Sequence, residues 1–395
     1  MTLYERALDS LRLQRGDARR LAADAVAAEP QSAAARLLEA TILASSRDVR
    51  DFENAGWAYA RLLTLEDGSP HLAALAAALD GNLAAAVRIY DAILDAHPED
   101  FVALWAAQLM DYYQGDALAQ RERSGRVLAR SSPSMPGYHA VLSMHAFALH
   151  ECGDYAAAED NARRALELEP RDMRAQHAML HVFEMRGQPA NGVRWAAARS
   201  AQWESHHMWW HLALFMLALR RPHGALTIYD LRLQDESVAG MIDASALLWR
   251  LHLARVDVGE RFAVLAERWA ERAEDAFCAF NDLHAMMAFV GAERWDLARV
   301  LLRAQQRRLM RLSGANHDMT RLVGYPASRA LAAFGRGDYS TAEALLRALP
   351  PVAHRVGGSH AQRDVLHLTQ AAAAARAPAK GYTHGFALSQ RLAAA

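Results

Sequence analysis

Two stretches, LDGNLAAAVRIYDAILDAHPED at residues 79–100 and ECGDYAAAEDNARRALELEPRD at 151–172, carry the same punctuation. Each has a glycine (Gly81, Gly153), a Leu or Tyr two residues on (Leu83, Tyr155), an alanine three further (Ala86, Ala158) and a closing proline (Pro98, Pro170). Alanine suits a place where two helices cross closely, and proline cannot continue a helix. Each stretch therefore predicts a turn followed by one amphipathic helix that stops at the proline. Gly115 and Gly187 then follow Gly81 and Gly153 by 34 residues. A fixed offset of that length is the period of the tetratricopeptide helix-turn-helix, and a globular bundle has no reason to show it.

The pattern extends outward with weaker punctuation. RRPHGALTIYDLRL (220–233), GAERWDLARVLLRA (291–304) and GRGDYSTAEALLRAL (335–349) repeat the turn, the alanine and the amphipathic second helix, and residues 243–275 read as a further pair joined around Gly259. Ala, Leu and Arg dominate, and alternating β-branched runs are almost absent, so the expected fold is all-α. About eight or nine hairpins are expected, each with an apolar face it cannot bury alone. They should stack into a tetratricopeptide-type α-solenoid, a right-handed superhelix with first helices on its concave wall. The expected division is divergent N-terminal helices over 1–66, the repeat array over 67–349, and a closing helix with a loosely held tail over 350–395.

Composition removes several function classes. The chain has 395 residues, 52% hydrophobic and 23% charged, with a formal net charge of -1. No like-charged block stands out, so nucleic acid is not an expected partner. Two cysteines, Cys152 and Cys278, are too few for a disulfide framework or a four-thiolate metal site. No apolar run approaches a membrane span, and the first residues lack the apolar core of a signal peptide, so a cytoplasmic protein without a membrane partner is expected. Lys380 is the single lysine. That excludes a P-loop or Schiff-base chemistry, and no nucleotide or flavin motif is present.

Histidine is where the sequence departs from an ordinary scaffold, with 18 in the chain. In RAQHAMLHVFEMRG (174–187), His177, His181 and Glu184 are spaced by four and three residues and share one face of a first helix that should look into the groove. HHMWWHLALF (206–215) adds His207 and His211, four apart, beside Trp209 and Trp210. His150 lies on the groove face of the preceding unit, and FNDLHAMMAF (280–289) contributes Asn281, Asp282 and His284. GGSHAQRDVLHLTQAAAAA (357–375) repeats the spacing with His360, Asp364 and His367, next to Arg363. Asp230 is a candidate rim group on a second helix. On one helix such spacing is an ordinary polar stripe; across several helices it outlines a site. Neutral imidazoles with a carboxylate suit a divalent metal, zinc or nonheme iron, and without metal they suit general acid–base work. No HExxH occurs, so the zinc-protease pattern is absent.

Six ordered segments, HAMLHVFEMRG, HHMWWHLALF, IYDLRL, DASALLWRLHL, NDLHAMMAFVGAER and GGSHAQRDVLHLT, resemble those of the tetratricopeptide repeat protein 38 family, also called StaR-like. The likeness runs from about Leu62 to Ala375. It implies an α-solenoid of divergent repeats, and the resembling segments carry His177, His181, Glu184, His207, His211, Asp230, Asn281, Asp282, His284, His360, Arg363 and Asp364.

Two functions follow. In the first, a polar pocket in the groove binds a small molecule with a metal on His177, His181, Glu184, His207 and His211. His177, His181, Glu184, His207, His211, His284 and Asp364 would be its acid–base or catalytic groups, for hydrolysis or metal-assisted oxidation. Arg363, Asp230, Asn281, Asp282, His150, His360 and Trp210 would contact the substrate, with Arg363 gripping an anionic group. In the second, the groove grips a peptide or partner helix as a protein-interaction scaffold.

Overall fold

The computed structural model describes residues 1–65, 68–310 and 314–377. Those residues form helices throughout, with no strand among them. In order they are α1 (Leu3–Leu13), α2 (Ala18–Ala28), α3 (Ala33–Ala44), α4 (Val49–Leu62), α5 (Pro70–Leu79), α6 (Leu83–Ala96), α7 (Phe101–Gln114), α8 (Ala117–Arg130), α9 (Tyr138–Glu151), α10 (Tyr155–Leu168) and α11 (Met173–Met185). They continue as α12 (Pro189–Arg199), α13 (His206–Ala218), α14 (Pro222–Arg232), α15 (Val238–Leu253), α16 (Arg261–Ala270), α17 (Ala279–Gly291), α18 (Trp295–Leu309), α19 (Ala315–Met319), α20 (Tyr325–Gly335), α21 (Tyr339–Arg347) and α22 (His360–Arg376). Consecutive helices pack as neighbouring pairs, from α1 with α2 to α20 with α21. That makes ten pairs in the described residues, more than the eight or nine expected, because the first two pairs lack the glycine ruler.

Local chemistry explains the pairs. The ruler residues Gly81, Gly115, Gly153 and Gly187 adopt φ of 64° to 83°, the left-handed turn that ends each first helix. Arg220, Arg255 and Glu293 take the same conformation at 55° to 61° where the sequence has no glycine, which is why those units are harder to read. Asn82, Asp116, Asp154 and Asp338 cap the following second helices through the backbone N–H three residues on. α6 and α10 both stop two residues before their prolines.

Second helices bury a single stripe, as in α10 with Ala158, Ala162 and Ala165. First helices are covered nearly all round, and in α15 every residue from Met241 to Leu251 is buried. Such helices must have neighbours on both sides and another layer in front.

Part of that layer comes from the chain returning on itself. Arg15 meets Glu204 at 2.8 Å, Arg174 donates to the carbonyls of Leu11 and Arg12, and Arg272 holds Asp48 with two bonds of 2.8 Å. Asn281 donates to the Arg47 carbonyl at 2.8 Å. The N-terminal pairs therefore lie against α11 to α17, joined by contacts 162 to 234 residues apart in sequence. The N-terminal helices also share a buried cluster with α5 to α9, so they belong to the same stack as the array.

The rest of the layer is α22. Trp249 Nε1 donates to Thr369 Oγ1 at 2.9 Å, Arg250 to the Ala361 carbonyl at 2.6 Å, and Tyr112 to Gln362 Oε1 at 2.6 Å. Buried Glu151 accepts from the His360 N–H at 2.9 Å and from Arg363 at 3.0 Å. The last helix thus runs inside the groove, touching α7, α9 and α15. The tail beyond residue 377, with Lys380, lies outside the described residues, as do residues 66 and 67 at the expected first boundary. Among the described residues no helix is long and apolar enough to cross a membrane.

Candidate metal centre

Two adjacent first helices, α11 and α13, build the centre. A period of four places His177 over His181 on α11 and His207 over His211 on α13. One nitrogen from each of these four imidazoles lies within 4.8 Å of all the others, and the four can hold a metal ion. The closest approaches are between Nε2 atoms, 2.9 Å from His181 to His177 and 3.1 Å from His177 to His211.

Carboxylates orient two of the rings. His211 Nδ1 donates to Glu184 at 2.9 Å, and His207 Nδ1 faces both oxygens of Asp243 at 2.9 Å. With the proton on Nδ1, each Nε2 presents a bare lone pair, the arrangement that fixes metal-binding histidines elsewhere. His177 is stacked on Phe147 (5.8 Å, 22°) and His207 on Trp210 (5.2 Å, 12°), so neither ring swings freely.

Electrostatics keep most of the set neutral. Burial pushes His177 well below the usual histidine range, reinforced by His207 and His211. It does the same to His181, reinforced by His150 and His177. Burial also lowers His211 against the opposing pull of Glu184. His207 is raised: burial is its largest influence and acts downward, but the charge and hydrogen bond of Asp243 together outweigh it.

The protons cannot satisfy this geometry. His211 Nε2 is bare, so a proton on His177 Nε2 can serve His211 or be absent for a proton from His181, but not both. One of the two short contacts is then left between lone pairs, or crowded by a shared proton. A cation shared by the lone pairs relieves every contact at once. Nitrogens about 2.05 Å from a metal stand roughly 3.3 Å apart in a tetrahedron and about 2.9 Å apart at right angles. The separations of 2.9 and 3.1 Å are of the size that nitrogens sharing one metal ion show.

The other expected site residues lie elsewhere. Glu184 spends its oxygen on His211 rather than joining the ligands. His284 is buried on α17 with Nδ1 on the Phe280 carbonyl at 2.7 Å, outside the four-histidine set. His150 is buried, its Nδ1 on the Phe147 carbonyl at 2.8 Å, and its ring lies 4.3 Å from that of His181. Arg363 is not free to grip an anion, because Glu151 and the Gly358 carbonyl hold it. His360, Asp364 and His367 form an exposed stripe on α22, with His360 also 3.2 Å from Glu151.

Three further residues have structural surroundings. Asp230 forms a two-bond pair with Arg261 on the second-helix side, away from the groove. Asp282 packs between helices against Gln305, and Asn281 holds the Arg47 carbonyl. Trp210 is fully buried as the backing of His207. A cleft of about 290 Å³ beside Trp57 and Arg19 lies at the N-terminal end, touching none of the histidines. The centre is a convergence of side chains rather than that cleft.

Asp243 was the residue missed from the sequence. Its signal was a single carboxylate within the apolar run VAGMIDASALLW, where an acid needs a partner. No protein-family model matches the chain.

Proposed function

We propose that this protein is a tetratricopeptide-type α-solenoid, related to the tetratricopeptide repeat protein 38 family, that binds zinc or iron on His177, His181, His207 and His211 and uses it on a small molecule in the groove. The observation that carries this reading is the meeting of four imidazoles, two of them aimed by Glu184 and Asp243, with too few protons to satisfy their contacts. All-nitrogen donors of this kind suit zinc, iron, copper and nickel, and not calcium or magnesium. When bound, the metal would supply Lewis-acid or oxidative chemistry. Around it, Glu184 and Asp243 hold protons on His211 Nδ1 and His207 Nδ1, while Phe147 and Trp210 limit water on two sides.

The position of α22 supports a small ligand over the scaffold reading. Its side chains bond to α7, α9 and α15 where a gripped peptide would lie, so a peptide would have to displace them.

The test is elemental analysis of protein purified without a histidine tag, beside His177→Ala and His181→Ala. The expected result is about one equivalent of metal in the wild type, lost from both variants while the helical circular-dichroism signal persists. Folded wild-type protein that takes up neither zinc nor ferrous iron would overturn the proposal.

A further inference from the structure

Arg47, in the turn between α3 and α4, is a cation without an anion. Its guanidinium packs on three rings, 4.2 Å from Tyr113, 4.5 Å from Phe280 and 5.2 Å from Tyr112. Ring faces stabilise a cation but do not satisfy its N–H groups. Arg47 makes no ion pair among the described residues, and its Nε and Nη2 are buried with no hydrogen-bond partner. Those two nitrogens form one edge of the guanidinium, the edge that grips a planar carboxylate with parallel bonds.

Two acceptors beside it are also open. Asn281 Oδ1 has no partner while its Nδ2 holds the Arg47 carbonyl. His284 Nε2 has none either, and it is bare when Nδ1 donates to Phe280. Gly357 covers that edge, where at its φ of 79° an added Cβ would meet Arg47 Nη2 at 3.2 Å and the Tyr113 carbonyl at 2.6 Å, so a carboxylate reaches the two nitrogens only as the Gly357–Gly358 segment shifts away from them. Gly357 and Gly358 lead directly into α22, so the segment covering Arg47 is joined to the helix lying in the groove.

The surrounding charge favours an anion. Arg174 and Arg250 bond only to backbone carbonyls, whereas Glu184, Asp243 and Glu151 are all committed to histidine or arginine partners. Aromatic faces connect Arg47 to the histidines, since Tyr112 meets Phe147 at 5.8 Å and Phe147 stacks on His177 at 5.8 Å. Tyr112, Phe147 and His177 each retain some accessible surface.

We infer that Arg47 is the anchor for the ligand of the histidine centre, and that this ligand is an organic carboxylate with a flat aromatic body lying along Tyr112 and Phe147. The identification of the ligand's far end rests on the metal reading above; the anion site rests on Arg47 alone. A single guanidinium edge matches one carboxylate, whereas a phosphate dianion would remain half-neutralised.

The probe is benzoate, titrated calorimetrically into metal-free full-length protein, with benzyl alcohol and inorganic phosphate as comparisons. Benzoate should bind, benzyl alcohol should not, and phosphate should bind at least about ten-fold more weakly. Arg47→Met should weaken benzoate about ten-fold or more and Arg47→Lys less, with metal content unchanged in both. Benzoate binding that is undetectable, unaffected in Arg47→Met or matched by benzyl alcohol overturns the inference, as does preference for phosphate. If Arg47→Met does not fold, the wild-type comparison of benzoate with benzyl alcohol still decides. Metal without benzoate binding sinks this inference alone, and Arg47-dependent benzoate binding without metal sinks the metal reading alone.

Discussion

His71, His139 and His207 occupy the same register at the starts of α5, α9 and α13, 68 residues apart, and each meets an aspartate from the next first helix. His71 lies 2.8 Å from Asp100 and His139 2.8 Å from Asp172. Those two aspartates are helix N-caps whose other oxygen already accepts a backbone N–H, from Ala103 and Ala175. The pairs tie one repeat to the next and go no further. At His207 the partner, Asp243, lies inside α15 and not at its cap, and it turns both oxygens to His207 with His206 beside it at 3.5 Å. Its neighbour α11 supplies two more imidazoles, His177 and His181, where the corresponding places of α7 hold Trp105 and Leu109. The same inter-repeat contact is thus a structural tie in two repeats and the edge of the four-histidine cluster in the third. A repeat position acquires chemistry from what its neighbouring repeats contribute.

The comparison breaks most sharply at Asp243. Asp243→Asn should weaken metal binding roughly 10- to 100-fold by freeing the His207 tautomer, read by competition with a metallochromic chelator. In metal-free protein His207 is raised and Asp243 lowered, so their mutual stabilisation is complete between the unfolded values of about 4 and 6.5. It is lost as pH rises through the His207 value or falls through that of Asp243, and the variant's Tm should lack that plateau. A variant that keeps wild-type metal affinity would make His207–Asp243 another simple tie.

Asp282, on the next first helix, sharpens the point from the other side. It is as buried as Asp243, but among the described residues its hydrogen bond comes from the Gln305 amide, at 3.3 Å, and burial pushes it up to about 7 against the pull of that bond and of Arg308. The folded chain therefore keeps a proton that the unfolded chain releases above about pH 4, and stability falls as pH rises from there through 7. Asp282→Asn should remove that loss, so that its advantage over the wild type grows by roughly 3 kcal/mol between pH 5 and pH 8, measured by urea unfolding. An unchanged pH profile would mean that Asp282 has an ionic partner after all.

The smallest effect belongs to the ties. His71→Ala or His139→Ala should each cost about 1 kcal/mol, the worth of one hydrogen bond, with metal content untouched. Loss of metal from either would erase the distinction between the repeats.

Much of the fold was legible because its signals are local. Gly81, Gly115, Gly153 and Gly187 mark turns that only a left-handed residue closes, and the units where Arg220, Arg255 and Glu293 do the same work were correspondingly faint. The pairing of His177 with His181 and of His207 with His211 was equally local, a consequence of one helical turn. Proximity between the two pairs needed only adjacent first helices, which the period implies.

Which partner each of these side chains meets was decided by the tertiary structure. Glu184 read as a ligand from its spacing, yet the approach of α13 turned it onto His211 Nδ1. Arg363 read as a free anion grip, but α22 entered the groove and placed it on Glu151, 212 residues away in sequence. Arg47 carried no local signal at all; its isolation among Tyr112, Tyr113 and Phe280 exists because contacts up to 234 residues long bring the N-terminal turn against α17. Sequence spacing determines which side chains share a helix face. Which of them are left with an unspent charge or lone pair depends on partners that only the closing of the solenoid brings near.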